Sequence, residues 1–319
     1  MKHIKAFLQL VRWPNLVFIA LTQVLFHFCV VAPSALGQRF SLPLHLTTPL
    51  FWLLCLSSVL IAGAGYIIND YFDINIDQIN KPDKMVLERT ISRRAAILWH
   101  LVLSVLGVLL GAFISYKLNN WLIAPANLLC VMLLWIYSTT YKRKLLVGNL
   151  LISALTAWVI LVLLAAELPG WWGGALTEPL EVASAARLTR IAMLYAGFAF
   201  IISLVREVVK DVEDIEGDRR LGCRTMPIVW GINASKIFAG TWLAILMVLL
   251  VITQVYVLQF GWWWSSLYIV ALVVIPLGFI FKQLMQATLT QHFTQLSRHI
   301  KWVMLSGILS MIFFLTYTQ

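Results

Sequence analysis

The sequence predicts an all-α polytopic membrane protein, a bundle of nine transmembrane helices with its motif-bearing loops on the cytoplasmic face. Three observations lead there. Hydrophobic residues make up 61% of the 319 and charged residues only 12%, with a mean hydropathy of +0.87. The apolar residues fall into runs of bilayer length, and the basic residues crowd into alternate connections. A chain of this composition cannot present an ordinary water-exposed surface, so its solvent is largely lipid. One membrane domain, 1–319, accounts for the whole pattern.

A hydrocarbon core of about 30 Å needs roughly 20 apolar residues per helix. On that ruler the spans run from Asn15 to Val31, Pro49 to Ile68, Ala95 to Tyr116, Trp121 to Ser138, Leu146 to Ala166, Ile191 to Val205, Ala234 to Leu258, Trp262 to Phe281 and Ile300 to Thr316. The sixth is short in apolar terms, and its helix is expected to continue through Arg206 to Asp218. The basic, amphipathic start MKHIKAFLQLVRWPN is followed by no small-residue cleavage site, so the first span is expected to be retained.

All but four of the 24 Lys and Arg residues lie at the N-terminus, in the loops after spans two, four, six and eight, or, as Lys236 and Lys301, in the first residues of the spans that follow those loops; the exceptions are Arg39, Lys117, Arg187 and Arg190. The positive-inside rule then makes those loops cytoplasmic, within a cell or inner membrane, and puts the C-terminus outside. The net charge of +10 is thus a topology signal and calls for no nucleic-acid partner. Trp171, Trp172 and Trp262 to Trp264 fall on the outer side, where aromatic belts sit. Cys29, Cys55, Cys130 and Cys223 are scattered singly and read as apolar fillers. His27 and His100 read as histidines hydrogen-bonded within the bundle, and no nucleophilic triad, P-loop or dinucleotide fingerprint is present.

The acids carry the chemistry. Of 14 carboxylates, Asp70, Asp73, Asp77, Asp83 and Glu88 follow span two, and Glu207, Asp211, Glu213, Asp214, Glu216 and Asp218 follow span six; Glu167, Glu178 and Glu181 lie elsewhere. Four spans separate the clusters, so both emerge on one face and can converge. Asn69, Asp73 and Asp77 recur every four residues, about 40° apart around a helix. The same period groups Asp214 with Asp218, with Asp211 one turn earlier. Like charges so close to lipid call for a cation, and Mg²⁺ suits the pattern, because it takes one or two carboxylates and completes its shell with water and phosphate oxygens. A diphosphate is the natural third party.

Three other readings compete. Asp73-x-Asn75-x-Asp77 imitates an EF-hand opening, but Gln78 and Lys84 stand where Gly and Glu belong. The acids could form a solvated charge run. An ion-coupled transporter also uses intramembrane carboxylates, though inverted repeats would tend to present such motifs from opposite sides.

The strings NDYFDINIDQINKPDK and VREVVKDVEDIEGDRRLGCRTMPI resemble the two signatures of the UbiA-type prenyltransferases, N-x-x-x-D-x-x-x-D and D-x-x-x-D. Arg12-Trp13-Pro14-Asn15 looks like that family's opening R-x-P-N, and Tyr137-Ser138 with Tyr141-Lys142-Arg143 extends the likeness. The resemblance implies a Mg²⁺-dependent transfer of a prenyl group from an isoprenyl diphosphate donor to a lipid or aromatic acceptor. It assigns Asp73, Asp77, Asp214 and Asp218 to catalysis, and to the metal these four with Asn69 and Asp211. Lys142, Arg143 and Lys210 would bind diphosphate; Asn15, Tyr66, Asn69, Tyr137 and Arg206 would contact substrate. The second motif is most like that of members that add a second geranylgeranyl chain to geranylgeranylglyceryl phosphate, a phospholipid precursor. Where those members continue N-R-P-x-R-P-I-P-S-G, this chain reads Asn80-Lys81-Pro82-Asp83-Lys84-Met85-Val86-Leu87-Glu88. Ring prenylation in quinone or haem synthesis is the alternative within the family.

Overall fold

A computed structural model describes residues 2–33, 44–80, 82, 85–168 and 179–317. Arg39, Lys81, Asp83, Lys84, Trp171, Trp172 and Glu178 lie outside the described residues. The elements are α1 (Lys2–Leu10), α2 (Trp13–Leu25), α3 (Thr48–Asn80), α4 (Arg93–Leu118), α5 (Ile123–Thr139), α6 (Val147–Glu167), α7 (Pro179–Glu213), α8 (Ile215–Arg220), α9 (Ile232–Leu258), α10 (Trp263–Gln286) and α11 (Thr290–Leu309). Among the described residues, strand-like pairing is confined to an isolated bridge between Leu87 and Ile91.

Every apolar segment read from the sequence is helical, and eight of the helices are long and apolar enough to cross a membrane. The ninth segment, α5, has 17 residues and falls short of that length. The protein is an integral membrane protein, its lipid-facing surfaces covered with side chains such as Ile237, Val248, Ile252 and Val255. Helices serve here because lipid offers no partner for backbone N–H and C=O groups, which a helix satisfies internally. Two spans contain π-turns that the apolar pattern does not announce, Phe26–Val31 after α2 and Val270–Val274 within α10. The second ends two residues before Pro276, whose missing N–H interrupts the helical ladder.

Two compact units divide the chain, Met1–Lys142 with Trp158–Met193, and Arg143–Ala157 with Leu194–Gln319. In the first, glycines let helices approach closely. A Cβ on Gly107 would lie 2.6 Å from Ile61 Cγ1 and 3.3 Å from the Ser57 carbonyl, and one on Gly111 would lie 2.4 Å from Asn127 Nδ2. The same contact carries polar glue: the Ser57 hydroxyl donates to Gly107 O at 2.7 Å and accepts from Asn127 Nδ2 at 2.8 Å. At the far end from the motif, buried Glu167 accepts from the consecutive backbone N–H groups of His45 and Leu46 at 3.0 and 3.1 Å. His100 bonds Ala64 O at 3.0 Å, as its setting suggested. His27 instead stacks flat on Phe51, 4.2 Å between ring centres, and its Nδ1 finds no partner among the described residues.

In the second unit, Val205, Val208, Val209 and Val212 of α7 pack with Leu243 and Leu246 of α9, Val273 and Leu277 of α10 and Phe293 and Ile300 of α11. The aromatic patch before α10 divides. Trp263 and Trp264 are exposed, whereas Trp262 stacks on Tyr317 with ring centres 4.6 Å apart.

Length positions the motifs. At 33 and 35 residues, α3 and α7 each reach about 50 Å, well beyond a hydrocarbon core of about 30 Å. Their last turns therefore project past the apolar stretch. Gly107→Val should destabilise the protein by about 1–3 kcal/mol through overpacking, seen as an earlier thermal transition in detergent. Gly278→Ala, where an added Cβ meets nothing within 4 Å, should leave that transition within about 0.5 kcal/mol of the parent. Equal transitions for the two variants would contradict this packing.

Candidate functional site

The first motif occupies the last turns of α3, which runs without interruption from Thr48 to Asn80. This continuity excludes the EF-hand reading, since Asp73 and Asp77 stand on a helix and not in a calcium loop. Asn69 and Asp73 are buried, and Asn69 Nδ2 donates to Asp73 Oδ2 at 2.7 Å. The Lys142 ammonium, on the one-turn helix Tyr141–Arg143 that follows α5, donates to the same oxygen. Burial works against the Lys142 charge, but Asp73 beside it outweighs burial, with a further contribution from Tyr137, and holds its pKa above the usual lysine range. Lys142 is therefore a fixed cation at neutral pH. Asp77, one turn beyond, lies within the electrostatic reach of Asp73, Asp70, Lys142 and Arg12. Asn69 Oδ1 is buried and has no hydrogen-bond partner among the described residues.

Two members of this constellation, Arg12 and Asp70, were given no site role by the sequence. Arg12 donates through Nη2 to Asp70 Oδ1 at 2.6 Å, and its guanidinium carbon lies 5.3 Å from the centre of the Tyr66 ring. Its backbone is left-handed, φ 51° and ψ 52°, at the junction of α1 and α2, a conformation that costs a non-glycine residue about 1–3 kcal/mol. Burial opposes the guanidinium charge, and the Asp70 carboxylate overcomes it, raising the pKa above the ordinary arginine range. The R-x-P-N likeness contained this arginine. What it lacked was a partner, since Asp70 sits one residue off the face defined by Asn69, Asp73 and Asp77. Asn15 stands in the first turn of α2, its N–H bonding Arg12 O at 2.8 Å.

The second motif is built differently. The expected continuous helix from Arg206 to Asp218 ends at Glu213; Asp214 adopts φ −96° and ψ 8°, and α8 begins at Ile215. Aspartate is a weak helix former whose side chain competes for backbone groups. The i, i+4 link nevertheless survives the junction, with Asp218 N–H bonding Asp214 O at 3.2 Å. Asp218 is buried. Asp211 accepts from Asn149 Nδ2 on α6 at 2.8 Å. Asn149 was missed, although a polar side chain within an apolar span is itself a signal. One turn earlier, Glu207 accepts from Arg206 Nη1 at 3.0 Å and from Lys210 Nζ at 3.1 Å. Arg143 uses its backbone carbonyl to accept from Arg224 N–H at 2.9 Å.

Among the described residues, no three His, Cys, Asp or Glu side chains gather as a metal-holding group. The first motif still fits a hard cation that brings its own oxygen ligands. It offers Asn69 Oδ1, an orphaned buried acceptor, beside the Asp73 carboxylate, with Asp77 one turn further along the same helix.

Removing Arg12 would leave Asp70 without its cation. Arg12→Gln should therefore lower the thermal transition in detergent by an amount worth about 1 kcal/mol more than Arg93→Gln does. Arg93 pairs with Glu88 in the open, the two side chains 51% and 39% exposed against 35% and 22% for Arg12 and Asp70. An equal shift for the two variants would show that the Arg12 pair is an ordinary surface contact.

Known proteins share these features. The UbiA prenyltransferase family pattern matches residues 25–317. Over 177 residues the chain is 31% identical to a digeranylgeranylglyceryl phosphate synthase of Methanosphaera stadtmanae, an alignment that covers 56% of this chain and 56% of that relative. The chain thus spans little more than half the length of that relative. A solved structure of digeranylgeranylglyceryl phosphate synthase in membranes superposes with a TM-score of 0.61 at 24% identity, over 98% of this chain and 99% of that one. A UbiA homologue from Archaeoglobus fulgidus, solved with DMAPP and Mg²⁺, superposes with a TM-score of 0.56 at 17% identity, over 96% and 98%. With its fold shared and the family pattern running through nearly all its length, the chain belongs to the UbiA prenyltransferase family.

Proposed function

We propose that the protein transfers a geranylgeranyl group from its allylic diphosphate to the free hydroxyl of geranylgeranylglyceryl phosphate, with Mg²⁺ and on the cytoplasmic face. The observation that carries the chemistry is the first motif, where Asp73 is held by Asn69 and Lys142 while Asn69 Oδ1 stays without a partner. The digeranylgeranylglyceryl phosphate synthases among its relatives support the choice of acceptor. The basic residues around both motifs support the side of the membrane.

Breaking the C1–O bond of an allylic diphosphate develops positive charge on the allyl group and negative charge on the departing oxygen. The acceptor hydroxyl oxygen forms the new bond to C1 and gives up its proton, and diphosphate is released. The first motif would hold Mg²⁺ through Asn69, Asp73 and Asp77 and the second through Asp211, Asp214 and Asp218, and Mg²⁺ would supply positive charge against the departing diphosphate. Lys142, Arg143 and Lys210 bind phosphate oxygens. Tyr66 and Tyr137 would supply π-density to stabilise the allyl cation. Apolar helix faces exclude water that would quench it.

Inverted membrane vesicles, which expose the cytoplasmic face, test the proposal when given Mg²⁺, labelled geranylgeranyl diphosphate and a choice of geranylgeranylglyceryl phosphate or aromatic acids. The expected product is the doubly prenylated glycerophosphate. Asp73→Asn and Asp214→Asn should each cut turnover by about a hundredfold or more, and the pair together should be far less than multiplicatively worse. Full activity of the double variant would overturn the assignment. A prenylated ring as sole product would move the protein to the aromatic branch, and activity confined to right-side-out vesicles would reverse the topology.

A further inference from the structure

Glu207 has no place in either metal motif, yet it is the most heavily engaged carboxylate of α7. Its side chain is 12% exposed and takes two cations at once, Arg206 Nη1 at 3.0 Å and Lys210 Nζ at 3.1 Å to Oε1 and 3.4 Å to Oε2. Asp211, Asp214 and Asp218 follow it at i+4, i+7 and i+11, so Glu207 opens the same row of acids one turn deeper in the helix. The deeper position changes its role. Its negative charge is already matched by two positive ones, so it has little capacity left for a metal.

Stability does not account for this triad. Each buried ion costs several kcal/mol to desolvate, and apolar residues of similar size would commonly do as well. On the same turns Val205, Val208, Val209 and Val212 belong to the apolar core, so apolar packing was open to this helix. Arg206 also keeps a buried Nε–H that has no acceptor among the described residues. Two cations gathered beside an unused donor suit an anion with several oxygens, which a diphosphate is.

We infer that Glu207 is a positioning residue: it gathers Arg206 and Lys210 into one cationic pair and so sets the affinity for the diphosphate of the donor. This rests on the transferase reading given above. Without the carboxylate the two cations repel one another in a poorly solvated site, and Lys210 turns to solvent. That removes a phosphate ligand while leaving the metal motifs in place.

Glu207→Gln should therefore raise KM for geranylgeranyl diphosphate about tenfold, with kcat within about threefold of the parent and the Mg²⁺ requirement unchanged. Glu207→Asp keeps the charge and should recover most of that loss. The decisive comparison is a cycle with Lys210→Gln. If Glu207 acts through Lys210, the KM penalty of Lys210→Gln shrinks in the Glu207→Gln background, whereas a structural role gives independent penalties. An unchanged or lowered KM in Glu207→Gln, or multiplicative penalties in the cycle, overturns the inference. So does loss of folding in Glu207→Asp, because the positioning role needs only the charge. Absence of transfer by the parent protein with every acceptor would overturn the transferase reading instead, and that outcome is read before any variant is compared.

Discussion

A carboxylate next to lipid must be neutralised, and most of the architecture follows from that constraint. A charged side chain at the bilayer centre costs about 2.5–3.5 kcal/mol even on permissive scales. The protein keeps its motif acids away from the centre by lengthening two helices, α3 and α7, to 33 and 35 residues. Only their final turns carry Asp73, Asp77, Asp211 and their neighbours. The acids are then deep enough to be partly desolvated and shallow enough to meet cations.

The two motifs meet those cations in different ways. At the first, cations arrive from other elements: Lys142 from the turn after α5 reaches Asp73, and Arg12 from the α1–α2 junction reaches Asp70. At the second, α7 supplies its own, with Arg206 and Lys210 on Glu207, and Asp211 leans on the neutral amide of Asn149. In both places an amide and an acid sit together, Asn69 with Asp73 and Asn149 with Asp211. An amide can donate to a carboxylate with NH₂ and still present an oxygen, which makes it a natural companion for an acid that must also bind a metal.

Composition and period made the helices and the facing of the motifs legible in the sequence. Nine apolar segments are helical where they were read, and Asn69 does bond Asp73 one turn on, as a period of four requires. The break at Asp214 was not legible, because the acid row continues through it with unbroken spacing. Nor were the π-turns at Phe26–Val31 and Val270–Val274, since one extra residue in a turn leaves an all-apolar stretch looking the same. Arg12 escaped for another reason. Its partner Asp70 is 58 residues away, and a contact of that range leaves no periodic trace. Glu207 was counted as one more acid, because spacing says where a carboxylate points and not what already holds it.

The central claim is that the Asp-rich motifs bind a divalent cation together with a diphosphate. Mn²⁺ in place of Mg²⁺ allows this to be read directly by electron paramagnetic resonance on the purified protein, with inorganic pyrophosphate present or absent. The account predicts that pyrophosphate converts free Mn²⁺ to a protein-bound signal in the parent, and that Asp73→Asn and Asp214→Asn each lose that signal while remaining folded. A Mn²⁺ spectrum identical in the parent and both variants would contradict it.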